Sequence, residues 1–139
     1  MVPALLTLAA LLVAERPLGL HPDNPHYFLF RGRPAVLVTS GEHYGAVLNL
    51  DFDFAPYLDE LHARGFNLTR TFSGTYREVP GSFRIRDNTL APAPGRYVGP
   101  WARVGADERF DLDRWDDGYF HRLKRFLAEA GRRGIVVEL

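Results

Sequence analysis

Gly65-Phe66-Asn67-Leu68-Thr69-Arg70-Thr71-Phe72-Ser73-Gly74 holds a helix stop, a strand and a charged strand tip in one short stretch. Gly65 can take the left-handed conformation that closes a helix, and Leu68, Thr69, Thr71 and Phe72 are strand formers. In a strand with a two-residue repeat, Leu68, Arg70 and Phe72 share a face, so a permanently charged guanidinium is expected to point the same way as two core side chains. Such a charge needs a carboxylate partner or a wet cavity, and the carboxyl end of a parallel strand is where α/β proteins open their ligand sites. Arg70 is therefore read as a site residue, with an ion pair at the sheet rim as the structural alternative.

The flanking segments repeat one pattern. Upstream, Asp53 is placed to cap a helix whose Phe54, Tyr57, Leu58 and Leu61 fall on one face, ending at Gly65. Downstream, Trp115, Tyr119, Phe120, Leu123, Phe126, Leu127 and Ala130 follow helical spacing, with Asp113 as the cap and Gly134 as the stop before Ile135-Val136-Val137-Glu138-Leu139. Helix, glycine and apolar strand, twice over, predict right-handed βαβ units and a parallel sheet. Ahead of them, Tyr27-Phe28-Leu29-Phe30 and Ala35-Val36-Leu37-Val38 flank Arg31-Gly32-Arg33-Pro34 in the manner of a hairpin. The second arm is an unbroken apolar run, which predicts a strand covered on both faces. It leads into a polar segment that makes Glu42 and His43 candidates at a strand's carboxyl end, against the alternative of a water-facing loop pair.

Residues 75–112 read as a long connection without regular structure that leaves the sheet beside Arg70, which suggests a wall or lid over a site. Its Tyr76, Tyr97 and Trp101 offer aromatic surfaces. Tyr76 and Trp101 are read as stacking surfaces for a ligand ring and Phe83 as an anchor to the protein body.

Seventeen basic and 17 acidic residues balance in a chain of 139, so nothing in the charge favours nucleic acid or an anionic membrane as partner. The absence of cysteine excludes a disulfide framework and thiolate metal sites, and no cofactor or metal is expected. Residues 1–14 form an apolar run too short to span a bilayer comfortably and ending in small side chains. It is read as a secretory signal, with export to the periplasm or beyond as the expectation and a buried amino-terminal helix or a misassigned start codon as the alternative. The division expected is a leader at 1–14, a hairpin segment at 15–34 and an α/β unit at 35–139.

The expected fold is the first three βα steps of a (β/α)₈ barrel of the TIM type, preceded by a β-hairpin. A full barrel needs about 250 residues, and the last strand would carry an unpaired edge, so the chain reads as truncated. Asn24-Pro25-His26-Tyr27-Phe28, the run from Ala35 to Thr39, the run from Gly65 to Arg70 and Gly134-Ile135-Val136-Val137 together resemble the amino-terminal third of cellulase-like glycoside hydrolases with a (β/α)₈ barrel. The resemblance covers residues 21–139. It implies hydrolysis of O-glycosidic bonds in a saccharide substrate, with Arg70 at the place where that family has an arginine holding the catalytic nucleophile. The family's acid/base glutamate after the fourth strand and nucleophile after the seventh have no counterpart among these residues.

Glu42 and Glu138 are the carboxylates at predicted strand ends. With one strand between them they would lie about 10 Å apart, outside the roughly 5 to 5.5 Å of retaining and near the roughly 6.5 to 9.5 Å of inverting hydrolysis. They are read as pocket residues, Glu138 also as a counter-charge for Arg70, and neither as catalytic. The candidate substrate-binding set is thus Glu42, His43, Arg70, Tyr76, Trp101 and Glu138. A non-catalytic saccharide-binding remnant, or a barrel enzyme of another class such as an aldolase or isomerase, are the alternatives.

Overall fold

The computed structural model describes residues 18–39, 42–74, 76–105 and 109–139, so the expected leader at 1–14 lies outside the described residues. The chain divides into two compact units, one ending at Val36 and one running from Leu37 to Leu139. The protein mixes strands and helices as a small α/β molecule. Among the described residues no helix is long and apolar enough to cross a membrane.

The first unit is an antiparallel sheet of β1 (Gly19–Leu20), β2 (Phe28–Phe30) and β3 (Arg33–Ala35), in that order. The turn between β2 and β3 is Arg31-Gly32, both at positive φ (50° and 75°), as a two-residue hairpin loop of the primed kind requires. The register pairs Phe30 with Arg33 and Phe28 with Ala35. The expected second arm therefore starts two residues early and stops at Ala35. Val36 and Val38 are 59% and 46% exposed, so 36–39 is not the strand covered on both faces that its apolar run predicts. The physical reason lies at Val38: its N–H donates to the side-chain Oδ1 of Asn67 at 2.7 Å, where a ladder would supply a backbone carbonyl.

In the second unit, α1 (Phe54–Ala63) and α2 (Asp117–Arg132) pack beside β4 (Leu68–Arg70) and β7 (Val136–Glu138). Asp53 caps α1 as expected, its Oδ1 accepting from the Ala55 N–H at 3.0 Å. Both helices end in the same motif. The Phe66 N–H reaches Leu61 O and the Ile135 N–H reaches Ala130 O, each at 2.9 Å, with Gly65 and Gly134 at φ 77° and 71°. Each strand is thereby launched directly from a helix stop. β4 and β7 pair in parallel, with Leu68 opposite Val136 and Arg70 opposite Glu138.

The core gathers Ala46, Val47, Leu48, Phe54, Leu58, Tyr119 and Phe126, all nearly or fully buried, and Phe54 meets Phe126 edge-on at 5.3 Å. β4 presents Thr69 to this core, not Leu68 or Arg70. Thr69 is fully buried and its hydroxyl bonds to Tyr57 Oη at 2.6 Å, while Leu68 is half-buried and Arg70 exposed. The expectation that Arg70 shares a face with core residues is thus half correct: it shares a face with Leu68, but that face is the open one. A half-buried polar strap completes the unit. Arg122 donates to the carbonyls of Ala46, Val47, Asn49 and Phe52 at 2.7–3.0 Å and so ties α2 to the 46–52 turn.

The long connection is not structureless. It contains a short 3₁₀ turn (Ser82–Arg84) and an antiparallel pair, β5 (Trp101–Arg103) with β6 (Phe110–Trp115). Trp115 therefore lies in a strand opposite Trp101, and Asp116, not Asp113, caps α2, accepting from the Tyr119 N–H at 3.0 Å. The alternation Phe110-Asp111-Leu112-Asp113 carries the period-two signal that helical spacing from Trp115 onward obscured.

Candidate functional site

Three side chains converge at the carboxyl ends of the parallel pair. Arg70 Nη2 lies 2.9 Å from Glu138 Oε2, and Nη1 lies 3.2 Å from Glu42 Oε1, so one planar guanidinium spans two carboxylates. The Glu138 hydrogen bond, then its charge and that of Glu42, hold Arg70 further above its ordinary value. Glu138 arrives there through cross-strand register with Arg70, whereas Glu42 lies outside the strands. A cleft of about 50 Å³ runs between them, bounded by Thr39 and Leu68. A shallower depression of about 240 Å³ lies alongside, lined by Arg70, Phe72, Ser73, Tyr76 and Leu139. The formal charge at the tip is one cation to two anions, all exposed to water: the side chains are 44%, 41% and 52% accessible.

Tyr76 belongs to this depression and also to a second, larger groove of about 560 Å³. That groove is walled by Gly74, Arg77, Tyr97, Trp101 and Phe110. Trp101 is half-buried and lies nearly parallel to Trp115, ring centroids 6.4 Å apart. Arg77 stacks its guanidinium over Tyr97 at 5.1 Å, and the Tyr97 hydroxyl donates to Gly74 O. Gly74, at φ 114°, allows the close approach: a Cβ there would stand 2.4 Å from Pro100 Cδ.

What fixes Tyr76 in place is a buried polar knot. Glu78 is 4% exposed, and its two oxygens accept from the Tyr44 hydroxyl and the Asn88 amide. Tyr44 in turn stacks on Phe72 at 4.7 Å and contacts the Tyr76 ring at 5.8 Å. Burial first, and then the Glu78 carboxylate, push the Tyr44 phenol far above its ordinary value, so it stays a donor. The Tyr44 carbonyl accepts from the Phe72 N–H at 3.0 Å, which clips the knot to the end of β4.

Of the candidate residues, Glu42, Arg70 and Glu138 are brought together, with Tyr76 beside them and Trp101 in the adjoining groove. His43 is turned elsewhere. Its ring stacks on Phe52 at 3.8 Å and Nε2 pairs with Thr89 Oγ1 at 2.8 Å, and burial lowers its pKa to about 4. Phe83, expected as an anchor, is 77% exposed and anchors nothing. Glu78, Tyr44 and Arg77 went unread because their partners lie far away in sequence and no local spacing signals them. No family model, curated protein or solved structure matches the chain.

Proposed function

We propose that this chain supplies the strand-tip region of a carbohydrate-active (β/α)₈ barrel of the cellulase-like glycoside hydrolase kind, and that it binds saccharide at Arg70, Glu42 and Glu138 and across Tyr76 into the adjoining groove of Trp101. The observation that carries the reading is a guanidinium held between two carboxylates at the ends of two parallel strands, next to an aromatic groove. Such a tip offers donors and acceptors to ring hydroxyls, and the aromatic faces suit the apolar face of a sugar. In the proposed barrel Leu68, Arg70, Val136 and Glu138 line the interior, while Thr69 and Val137 face the helices. The apolar run at 1–14 is part of the same proposal, as an export signal.

Glycoside hydrolysis needs two carboxyl groups free to exchange protons or attack. Glu42 and Glu138 are both engaged with Arg70, which favours binding roles for them and leaves the bond-breaking carboxylates to other strand tips of the proposed barrel. The same engagement supports the second reading, a saccharide-binding protein without turnover. Calorimetric titration of the full chain with neutral and acidic oligosaccharides tests both. Saturable binding that Trp101→Ala weakens is the expected result; a folded chain that binds none of them overturns the saccharide reading. Reducing-end release from a bound oligosaccharide then separates enzyme from binder.

A further inference from the structure

We propose that Trp115 is a further sugar-stacking platform, so that the site takes an extended oligosaccharide laid from the strand tips over Tyr76 and Trp101 onto Trp115, and not a mono- or disaccharide. This inference rests on the saccharide reading and names the length of ligand. The observation behind it is a break in register. β5 and β6 pair Arg103 with Phe110 and Ala102 with Asp111, which would set Leu112 opposite Trp101, yet the residue opposite Trp101 is Trp115. Leu112, Asp113 and Arg114 are looped out as a bulge, a device by which sheets re-aim a side chain beside a site. It brings both of the chain's tryptophans together, with ring planes 21° apart and centroids 6.4 Å apart.

A packing role would bury the second ring, but Trp115 is 62% exposed. It is nonetheless held. Phe120 meets it edge-on at 5.7 Å, the buried Tyr119 backs Phe120 at 5.1 Å, and the Asp116 N–H donates to Pro100 O at 2.8 Å, which pins the adjoining backbone. A fixed aromatic face with most of its surface in water loses little freedom when a ring settles on it. The exposed Asp113 and Arg114 beside it in sequence suit a ligand that is apolar on its ring faces and polar at its rim, as a sugar is, better than an apolar protein surface. Continuity sets the path. Tyr76 lines both the strand-tip depression and the groove, Trp101 lines the groove, and Trp115 carries the aromatic surface on from Trp101.

Disaccharides through hexasaccharides of a β-linked glucan, a β-linked mannan and a polygalacturonate, titrated calorimetrically into the full chain, decide the matter. In whichever series binds, the hexasaccharide is expected to bind at least about tenfold more tightly than the disaccharide. Trp115→Ala is expected to abolish that gain while leaving disaccharide binding unchanged, and Trp115→Tyr to restore most of it. In Trp101→Phe, Trp115 is the sole indole, and its emission should move to the blue with the hexasaccharide and stay in place with the disaccharide. Affinity independent of chain length, or a sole-indole emission that no oligomer moves, overturns the inference and leaves the saccharide reading standing. So does a Trp115→Ala protein that loses melting temperature but keeps the length dependence, the result a mere brace for the hairpin would give. Failure of every series to bind overturns both. Because chain length and indole emission are read on proteins that keep Trp115, the test holds whether or not the alanine variant folds.

Discussion

Arg70 and Glu138 stand opposite each other in the parallel register of β4 and β7, and their side chains meet at 2.9 Å between Nη2 and Oε2. Cross-strand neighbours on one face are held at hydrogen-bonding range by the sheet itself, so the pair costs little ordering of the backbone. At 44% and 52% exposure, water screens its attraction, and its contribution to stability is correspondingly small. Its value is geometric. The same planar fork reaches Glu42 at 3.2 Å and so fixes two carboxylates from separate parts of the chain.

From that geometry, Arg70→Lys is expected to weaken saccharide binding by at least about tenfold while leaving the melting temperature nearly unchanged, because an ammonium keeps the charge but cannot span two carboxylates in one plane. Calorimetry and thermal unfolding on the same variant check it. Intact binding with a lowered melting temperature would make Arg70 a structural ion pair and remove it from the site.

The parts of this arrangement that were legible in the sequence are those set by local chemistry. Asp53 as a cap, Gly65 and Gly134 as helix stops, and β4 and β7 as strands launched from those stops all follow from a few neighbouring residues. Arg70 and Glu138 were legible as strand-tip charges for the same reason. Elsewhere a distant partner decided the outcome. Asn67 took the Val38 N–H with its side chain while its own N–H went to Val38 O, so 36–39 does not continue as a regular strand, and the pairing of Trp101 with Trp115 drew Trp115 out of α2 and into β6. Which face of β4 meets the core was equally a matter of tertiary packing: Thr69 is tolerated there because Tyr57 satisfies its hydroxyl.

Arg122 makes a strong stability prediction. Its donors satisfy four carbonyls of the 46–52 turn, and burial pulls its pKa below the ordinary value. Arg122→Ala is expected to cost about 3 kcal/mol, since the carbonyls it abandons lie next to the core, although that of Asn49 keeps the Phe52 N–H, and to lower the melting temperature by roughly 10 °C. Arg122→Lys should restore less than half of the loss, because three donors on one atom cannot fan out to four acceptors. Urea unfolding midpoints for both variants measure this, and a midpoint for the alanine variant equal to that of the parent would refute the strap.

Glu78 should behave as the anchor of the segment that carries Tyr76. Glu78→Ala strands the Tyr44 hydroxyl and the Asn88 amide, at an expected cost of about 2 kcal/mol, while Glu78→Gln keeps one acceptor and costs about 1 kcal/mol. The effect should also be local. Amide hydrogen exchange is expected to speed up through residues 78–90 in Glu78→Ala, with the α1 amides unchanged in conditions where global unfolding stays slow. Uniform acceleration across the protein, or none, would contradict an anchoring role.

The last prediction concerns acid and His43. Burial holds the imidazole neutral, with a folded pKa of about 4 against 6.5 for the free side chain, and Nδ1 sits buried with no hydrogen-bond partner among the described residues. Between those two values the unfolded chain binds a proton that the folded one does not, so stability must fall as pH drops through that window. The stabilisation from keeping His43 neutral is complete above the unfolded value and is lost on descending toward about 4, below which both states are protonated. The full shift would correspond to about 3 kcal/mol, and since the ring is partly exposed the expected loss is nearer ~2 kcal/mol. Carboxylates elsewhere titrate in the same range, which makes the difference between two proteins the informative quantity. His43→Phe keeps the stack on Phe52 and gives up the bond to Thr89, so it should be somewhat less stable at pH 7 yet lose less on acidification. Melting temperatures of both proteins at pH 7, 5.5 and 4.5 decide the matter: the two curves should converge as pH falls, and parallel curves would show that His43 does not titrate with folding.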